Sequence, residues 1–185
     1  MDSIRPCIES TGTWSFRSPR TRNGRQESQC CYNGDQNFVN FLKRNDFGEK
    51  KLTSPTKIID FLGESLLPYF LLGFLDGDGS ICFRRLKSGY YKPIMLGFYG
   101  PYYQDWGWLS NICSNLLSRY VIRRRSRNIG RSSSLELNGS HAKNILNFVY
   151  STNYPFCLYR KKIKYLSYTE YQSLPSKLRK NYQPL

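Results

Sequence analysis

The sequence predicts an α+β fold in which a four-stranded antiparallel sheet carries its helices on one face. The hydrophobic period changes from about 3.6 residues to about 2 residues just after Leu75, as expected where a helix gives way to strands. Two strand-like pairs follow, Ser80–Leu86 with Tyr91–Tyr99 and "YVIRRRSRN" with "SSLELNG". Amphipathic segments, "DWGWLSNICSNLLSRY" and "SHAKNILNFVYS", come between and after these pairs. The predicted order is therefore α-β-β-α-β-β-α.

Composition along the chain divides it into four parts. Residues 1–29 are rich in Arg, Ser, Thr and Gly without periodicity, which predicts a mobile basic arm. Residues 30–60 contain a short amphipathic helix around Phe38. Residues 61–171 carry the predicted sheet and most of the apolar side chains, and residues 172–185 are expected to form a tail. The chain of 185 residues is long enough for one hydrophobic core with appendages.

The charge predicts an anionic partner. The formal net charge is +15 and the basic residues alternate with aromatic and aliphatic ones along the predicted strands. That arrangement gives a sheet with one cationic face, which suits double-stranded DNA because the major groove admits a β-ribbon. The basic residues expected to contact DNA are Arg84, Lys87, Lys92, Arg123, Arg125 and Arg127.

Several other classes of site are disfavoured. The six cysteines contain no CxxC pair, and His141 is the only histidine. A zinc site is therefore not expected, and metal chemistry would depend on oxygen ligands. No apolar run reaches the roughly 18 residues of a membrane span. Without a signal peptide, the thiols favour an intracellular, reducing compartment, and an organellar, phage or bacterial host is left open.

The stretch "LLGFLDGDGSICF" is the strongest candidate for a functional site. An apolar helix ends here on Asp76 and Asp78, at the helix end whose dipole disfavours negative charge. Carboxylates and backbone carbonyls are ligands that Mg²⁺ accepts, so a bound cation would explain this arrangement. Gly73 and Gly77 lie four residues apart on one helix face, where a second helix could approach closely.

Residues Leu71–Gly79 resemble the signature of the LAGLIDADG homing endonucleases. The downstream element order and the basic segment "YPFCLYRKKIKY" are similar too, so that the resemblance covers about residues 35–171. It implies a LAGLIDADG-type αββαββα fold and a site-specific, Mg²⁺-dependent endonuclease that cuts double-stranded DNA at a long site. By the same resemblance the site residues are Asp78 as catalytic metal ligand, Gly77 as carbonyl ligand, Asp76 as structural residue at the helix end, and Lys161 or Arg160 as active-site cation.

The single clear motif leaves the assembly open. One interpretation is a homodimer acting on a near-palindromic site through a seam at Gly73 and Gly77. The other is a monomer in which residues 30–60 are the remnant of a first repeat. We favour the homodimer. Two other functions remain alternatives: an intron maturase that binds RNA as a splicing cofactor, and a non-cleaving DNA-binding protein of the same fold.

Overall fold

The computed structural model falls into two compact units, residues 1–48 and residues 49–185. The residues that the structure describes are 14–17, 21–22, 25–26, 30–33, 35–45, 54–127, 130–151 and 157–185.

The first unit contains short elements. They are β1 (Trp14–Arg17), β2 (Thr21–Arg22), β3 (Arg25–Gln26), β4 (Cys30–Asn33) and α1 (Gln36–Arg44). Asp35 caps α1 by accepting a hydrogen bond of 2.7 Å from the Asn37 amide. The short helix expected in residues 30–60 is confirmed. The predicted arm, residues 1–29, falls largely outside the described residues, so its mobility stays a prediction.

The second unit has the predicted architecture of a four-stranded antiparallel sheet with helices, and its strand order is β5-β6-β8-β7. Its elements in chain order are α2 (Thr56–Asp78), β5 (Gly79–Cys82), β6 (Met95–Pro101), α3 (Gly107–Asn115), β7 (Val121–Arg127), β8 (Gly130–Asn138), α4 (Ser140–Tyr150), α5 (Tyr159–Ser173) and α6 (Ser176–Arg179). The α+β class expected from the sequence is confirmed.

The sheet buries one face against the helices. Its most deeply buried side chains, each at most 1% exposed, are Ile81, Leu96, Phe98, Leu135 and Leu137. They belong to the same core cluster as side chains of α2, α3 and α4. On the opposite face Tyr99 is 41% exposed. This strand alternation leaves one face of the sheet open, as the sequence predicted.

The first hairpin is less regular than expected, because β5 stops at Cys82 and β6 starts only at Met95. Pro93 has no amide to donate to a ladder, which accounts for part of the gap. The hairpin nevertheless continues, since the Lys92 amide donates to the Arg84 carbonyl at 3.0 Å and an isolated bridge joins Arg85 to Tyr91.

Helix α2 begins at Thr56, before the stretch Gly63–Leu75 in which the sequence predicts a helix. Its first turns are separated from the rest by Gly63, whose φ of 67° and ψ of −179° are not helical. With those turns included, α2 is the one helix of the described chain that is long and apolar enough to cross a membrane, which the sequence did not predict. The side chains of Leu71, Leu72 and Leu75 are instead buried in the core under the sheet.

The tail is expected over residues 172–185. Residues 172 and 173 instead belong to α5, and residues 174–185 pack against α5 and the first hairpin. The Tyr182 side chain is buried, and its hydroxyl lies 2.9 Å from the Ser167 carbonyl and 2.7 Å from a Glu170 carboxylate oxygen. The guanidinium of Arg85 donates to the Lys180 carbonyl at 2.9 Å. These contacts attach the segment to the domain.

Replacing Tyr182 with phenylalanine is expected to lower the free energy of unfolding by about 1–2 kcal/mol, because the Ser167 carbonyl and the Glu170 carboxylate lose their hydroxyl donor. Burial, assisted by Glu170, raises the pKa of Tyr182 from 10.0 to about 12. The folded protein thus keeps a proton that the unfolded chain releases, and the stabilisation is present below pH 10 and lost as the pH rises towards 12. Urea unfolding between pH 7 and pH 11 measures both effects.

Tyr103→Phe is the matched control, since that side chain is 71% exposed. It should change neither the stability nor its pH dependence. An alkaline slope that is identical in Tyr182→Phe and in the unmodified protein would contradict the prediction.

Candidate nucleic-acid interface and metal site

The negative end of helix α2 is neutralised by Lys161. This side chain is 5% exposed, and its ammonium donates to the carbonyls of Leu75, of Asp76 at 2.9 Å and of Gly79 at 2.7 Å. An ammonium has three protons to donate, so all of them are used here. A cation at this end of a helix also offsets the dipole, which answers the electrostatic problem raised by two terminal aspartates.

Asp76 makes the reciprocal contact from α2 to α5. Its carboxylate accepts a hydrogen bond of 2.8 Å from the Leu158 amide, at the N-terminal end of α5. Burial raises the pKa of Asp76, while the Leu158 amide and the charges of Lys161 and Arg160 act in the opposite direction. We call the Lys161 and Asp76 hydrogen bonds together the helix-end contact. It joins the end of one helix to the start of another.

The two candidate active-site cations occupy different environments. Burial lowers the pKa of Lys161, and the carboxylate of Asp76 opposes that lowering. Arg160, one residue earlier, is exposed. A catalytic role for either residue stays a prediction, but only Arg160 presents its side chain to solvent, whereas Lys161 is committed to backbone carbonyls.

Asp78 and Gly77 form the candidate metal site. Asp78 is the last residue of α2 and is half-buried, and Gly77 before it is exposed. Lys161 binds the carbonyls of Asp76 and Gly79, on either side of this pair, but not that of Gly77. A carboxylate and a carbonyl at an accessible helix end are hard oxygen donors, which fits Mg²⁺ because this ion takes few protein ligands and retains water.

One chain provides only part of a coordination shell. No group of three or more His, Cys, Asp or Glu side chains that could hold a metal ion occurs among the described residues. The oxygen ligands of a single α2 end would therefore need to be completed by water, by a bound phosphate or by a second chain.

The open face of the sheet carries a compact charged cluster. The Arg123 Nε lies 2.9 Å from Glu136 Oε2, and Arg125 Nη2 lies 3.4 Å from Glu136 Oε1. Ser134 donates to the same Glu136 oxygen at 2.9 Å. Arg123 and Arg125 thus share one face, as strand alternation predicted. Arg127 ends β7, where its backbone pairs with Gly130.

Sequence reasoning missed Glu136. The signal was available in "SSLELNG", because Leu135 and Leu137 belong to the core and the residue between them must point to the other face. That face was already assigned to the arginines.

The remaining predicted DNA contacts lie on the first hairpin. Arg84, Lys87 and Lys92 are all exposed, in the segment between β5 and β6. Arg84 follows the end of the outer strand β5, and Arg123 lies on the other outer strand, β7. At about 4.8 Å per strand the sheet is about 14 Å wide, comparable with the roughly 12 Å width of the DNA major groove.

A second uncovered surface runs along α2. A Cβ atom added at Gly73 or Gly77 would meet nothing within 4 Å. Two large apolar side chains lie on the same side of the helix at helical spacing, Leu66 at 46% and Tyr69 at 42% exposure. We call these four residues the seam face.

These features describe a basic α+β domain with one exposed sheet face, a candidate oxygen-ligand site at a helix end and exposed residues along α2. No protein-family model matches the sequence, and no curated protein matches it. One solved structure that aligns with the chain is the homing endonuclease I-CvuI in complex with its target, in the presence of 2 mM Ca. It is 21% identical, with 60% of this chain and 69% of that chain covered and a TM-score of 0.43. A likeness of this degree does not assign a function, which we argue from the residues of this chain.

Proposed function

We propose that this protein is a site-specific, Mg²⁺-dependent endonuclease that cuts double-stranded DNA as a homodimer. The observation that carries the proposal is the end of α2. There the exposed Gly77 and the half-buried Asp78 place a backbone carbonyl and a carboxylate, both hard oxygen donors, at an accessible helix end. Lys161 donates to the carbonyls of Asp76 and Gly79, on either side of this pair, and so holds the backbone around it in place.

DNA binding is assigned to the open face of the sheet. The arginines of β7 lie on one outer strand, and the cations of the first hairpin lie between β5 and β6. A net charge of +15 supports the same partner, because neutralising phosphates releases condensed counterions. We expect the affinity to fall steeply as the salt concentration rises.

Cleavage is assigned to the end of α2. Asp78 would hold the cation through its carboxylate and Gly77 through its carbonyl, and a divalent cation bound there supplies an activated water and stabilises the departing oxygen. Arg160, exposed at the start of α5, would contact a phosphate. Lys161 acts as a positioning residue because it fixes the carbonyls around Gly77.

The homodimer is proposed because each chain has one candidate set of metal ligands, Asp78 and Gly77. One chain carries one Asp78, whereas cutting two strands requires two such sites. The seam face offers the surface for pairing, because its glycines allow two helices to approach closely and its Leu66 and Tyr69 side chains are exposed apolar groups.

The experiment that tests this function is digestion of the source replicon's DNA from which this reading frame has been removed. The protein is incubated with that DNA in Mg²⁺ or in chelator, and the new ends are mapped by sequencing. We expect one staggered break that requires Mg²⁺ and has near-palindromic flanks. Tight, salt-sensitive binding to flanking intron RNA without any break would instead support the maturase alternative.

Replacing Gly73 with leucine is expected to abolish dimerisation without destabilising the monomer. The added side chain has open space within one chain, and leucine favours a helix over glycine by about 1 kcal/mol. In a paired assembly the same side chain would separate the two backbones. Analytical ultracentrifugation measures the assembly, and thermal unfolding measures the monomer.

Asn144→Leu is the matched control, since it adds an exposed leucine to α4 away from the seam face. It should leave both the dimer and the double-strand break intact. A Gly73→Leu protein that still sediments as a dimer would place the interface elsewhere, and an unmodified protein that cuts as a monomer would refute the homodimer.

A further inference from the structure

Glu136 is the one acidic residue among the described strand residues on the open face of the sheet, where DNA is proposed to bind. It is 8% exposed and accepts hydrogen bonds from Arg123, Arg125 and Ser134. A carboxylate there repels phosphate, so it weakens rather than strengthens general DNA binding. Its contacts therefore indicate another task.

The contacts hold the two arginines in defined positions. A free arginine side chain has many rotamers, and part of that freedom is lost whenever it binds. Anchoring by Glu136 removes that freedom before DNA arrives. The side chains of Arg123 and Arg125 are nevertheless each 53% exposed, so their outer parts remain accessible.

Arg123 and Arg125 bind Glu136 through different nitrogen atoms, and this difference determines which donors each arginine has left for DNA. It binds Glu136 through Nε at 2.9 Å, which leaves its two terminal amino groups for another acceptor pair. That pair of donors matches the O6 and N7 acceptors of guanine in the major groove. Arg125 binds through a terminal amino group at 3.4 Å and is held less closely.

We infer that Glu136 is a specificity-determining positioning residue, which fixes Arg123 as a reader of a base pair, preferentially guanine. This inference rests on the proposed DNA-binding function. Glu136 would then have two opposite effects. Its carboxylate raises the discrimination between DNA sequences, and it lowers the affinity for unrelated DNA.

The test uses the full chain and Glu136→Gln, with Glu64→Gln as a charge-matched control at an exposed position on α2. Sequences bound by the unmodified protein are first selected from a random duplex library. Dissociation constants are then measured on the selected and on a scrambled duplex at several salt concentrations. We expect Glu136→Gln to bind the scrambled duplex several-fold more tightly. The ratio of the dissociation constant on the scrambled duplex to that on the selected duplex should fall roughly tenfold or more, as expected when one bidentate base contact is lost.

A readout without DNA tests the positioning itself. The Nε–H signal of Arg123 in a nitrogen-correlated NMR spectrum should be protected from solvent exchange in the unmodified protein and in Glu64→Gln, and unprotected in Glu136→Gln. Arg123→Lys provides a second variant if Glu136→Gln does not fold. It keeps the charge but not the fork of donors, so the ratio should fall while affinity for scrambled DNA is unchanged.

The outcomes separate this inference from the proposed function. If no duplex is bound, both fail. If duplex is bound but the ratio is the same in Glu136→Gln and in the control, only the inference about Glu136 fails. A loss of affinity that is equal on both duplexes also overturns it, because that result describes a structural residue.

Discussion

Replacing Asp78 with asparagine is expected to abolish DNA cleavage while leaving DNA binding nearly unchanged. Asparagine keeps the shape of the side chain but removes the charge that holds a divalent cation. Under the proposed function, such a cation would supply several kcal/mol of transition-state stabilisation, so the cleavage rate should fall by ~10³-fold or more. DNA binding is proposed to use the sheet, whose arginines this change does not touch. Cleavage rates in Mg²⁺ and dissociation constants in chelator measure the two effects separately.

Asp60→Asn is the control for Asp78→Asn, because it removes the same charge from an exposed position in the first turns of α2. It should change neither rate nor affinity. Cleavage that persists in Asp78→Asn would show that Asp78 is not the metal ligand. If binding were lost together with cleavage, Asp78 would be a DNA contact rather than a ligand.

Replacing Lys161 with methionine is expected to lower the free energy of unfolding by about 3–5 kcal/mol, because a buried hydrogen-bonded cation is removed and its polar partners are left unpaired. Three carbonyls lose their donor, and the partly buried Asp76 loses the nearest opposing charge. Urea unfolding at neutral pH, followed by tryptophan fluorescence, measures the change.

The adjacent Lys162 supplies the control, since it is only half-buried and Lys162→Met should change stability by less than about 1 kcal/mol. The comparison also separates a positioning role from a catalytic one. A Lys161→Met protein with unchanged stability and a lost cleavage rate would mean that the ammonium acts on DNA, against the geometry. A large loss of stability, together with an unchanged cleavage rate per folded molecule, agrees with a positioning role for Lys161.

Features that follow from the local spacing of apolar residues could be predicted from the sequence alone. Strand alternation predicted that Arg123 and Arg125 share one face of the sheet, and in the structure both contact Glu136 on that face. The change of period after Leu75 marked the end of α2, because helices and strands repeat their apolar positions differently. Such features depend on residues within one segment and not on contacts with distant parts of the chain.

The residue that neutralises the negative charge at the C-terminal end of α2 could be identified only from the tertiary structure. Lys161 and Arg160 are both basic and adjacent, and no local pattern distinguishes the residue that turns inward. The contact between Lys161 and the Asp76 carbonyl joins residues that are 85 positions apart. Which cation is buried depends on how α5 is oriented against α2, and that orientation is set by the packing of the whole core.

The same reason explains the segment 174–185. Its composition suggested a polar tail, yet Tyr182 is buried against Glu170 and the hairpin residue Arg85 reaches the Lys180 carbonyl. A short polar segment carries no periodic signal, so its position is fixed by the surface that the rest of the fold offers. The sequence thus determined which faces are apolar and which are basic, and the tertiary structure determined which individual side chains meet.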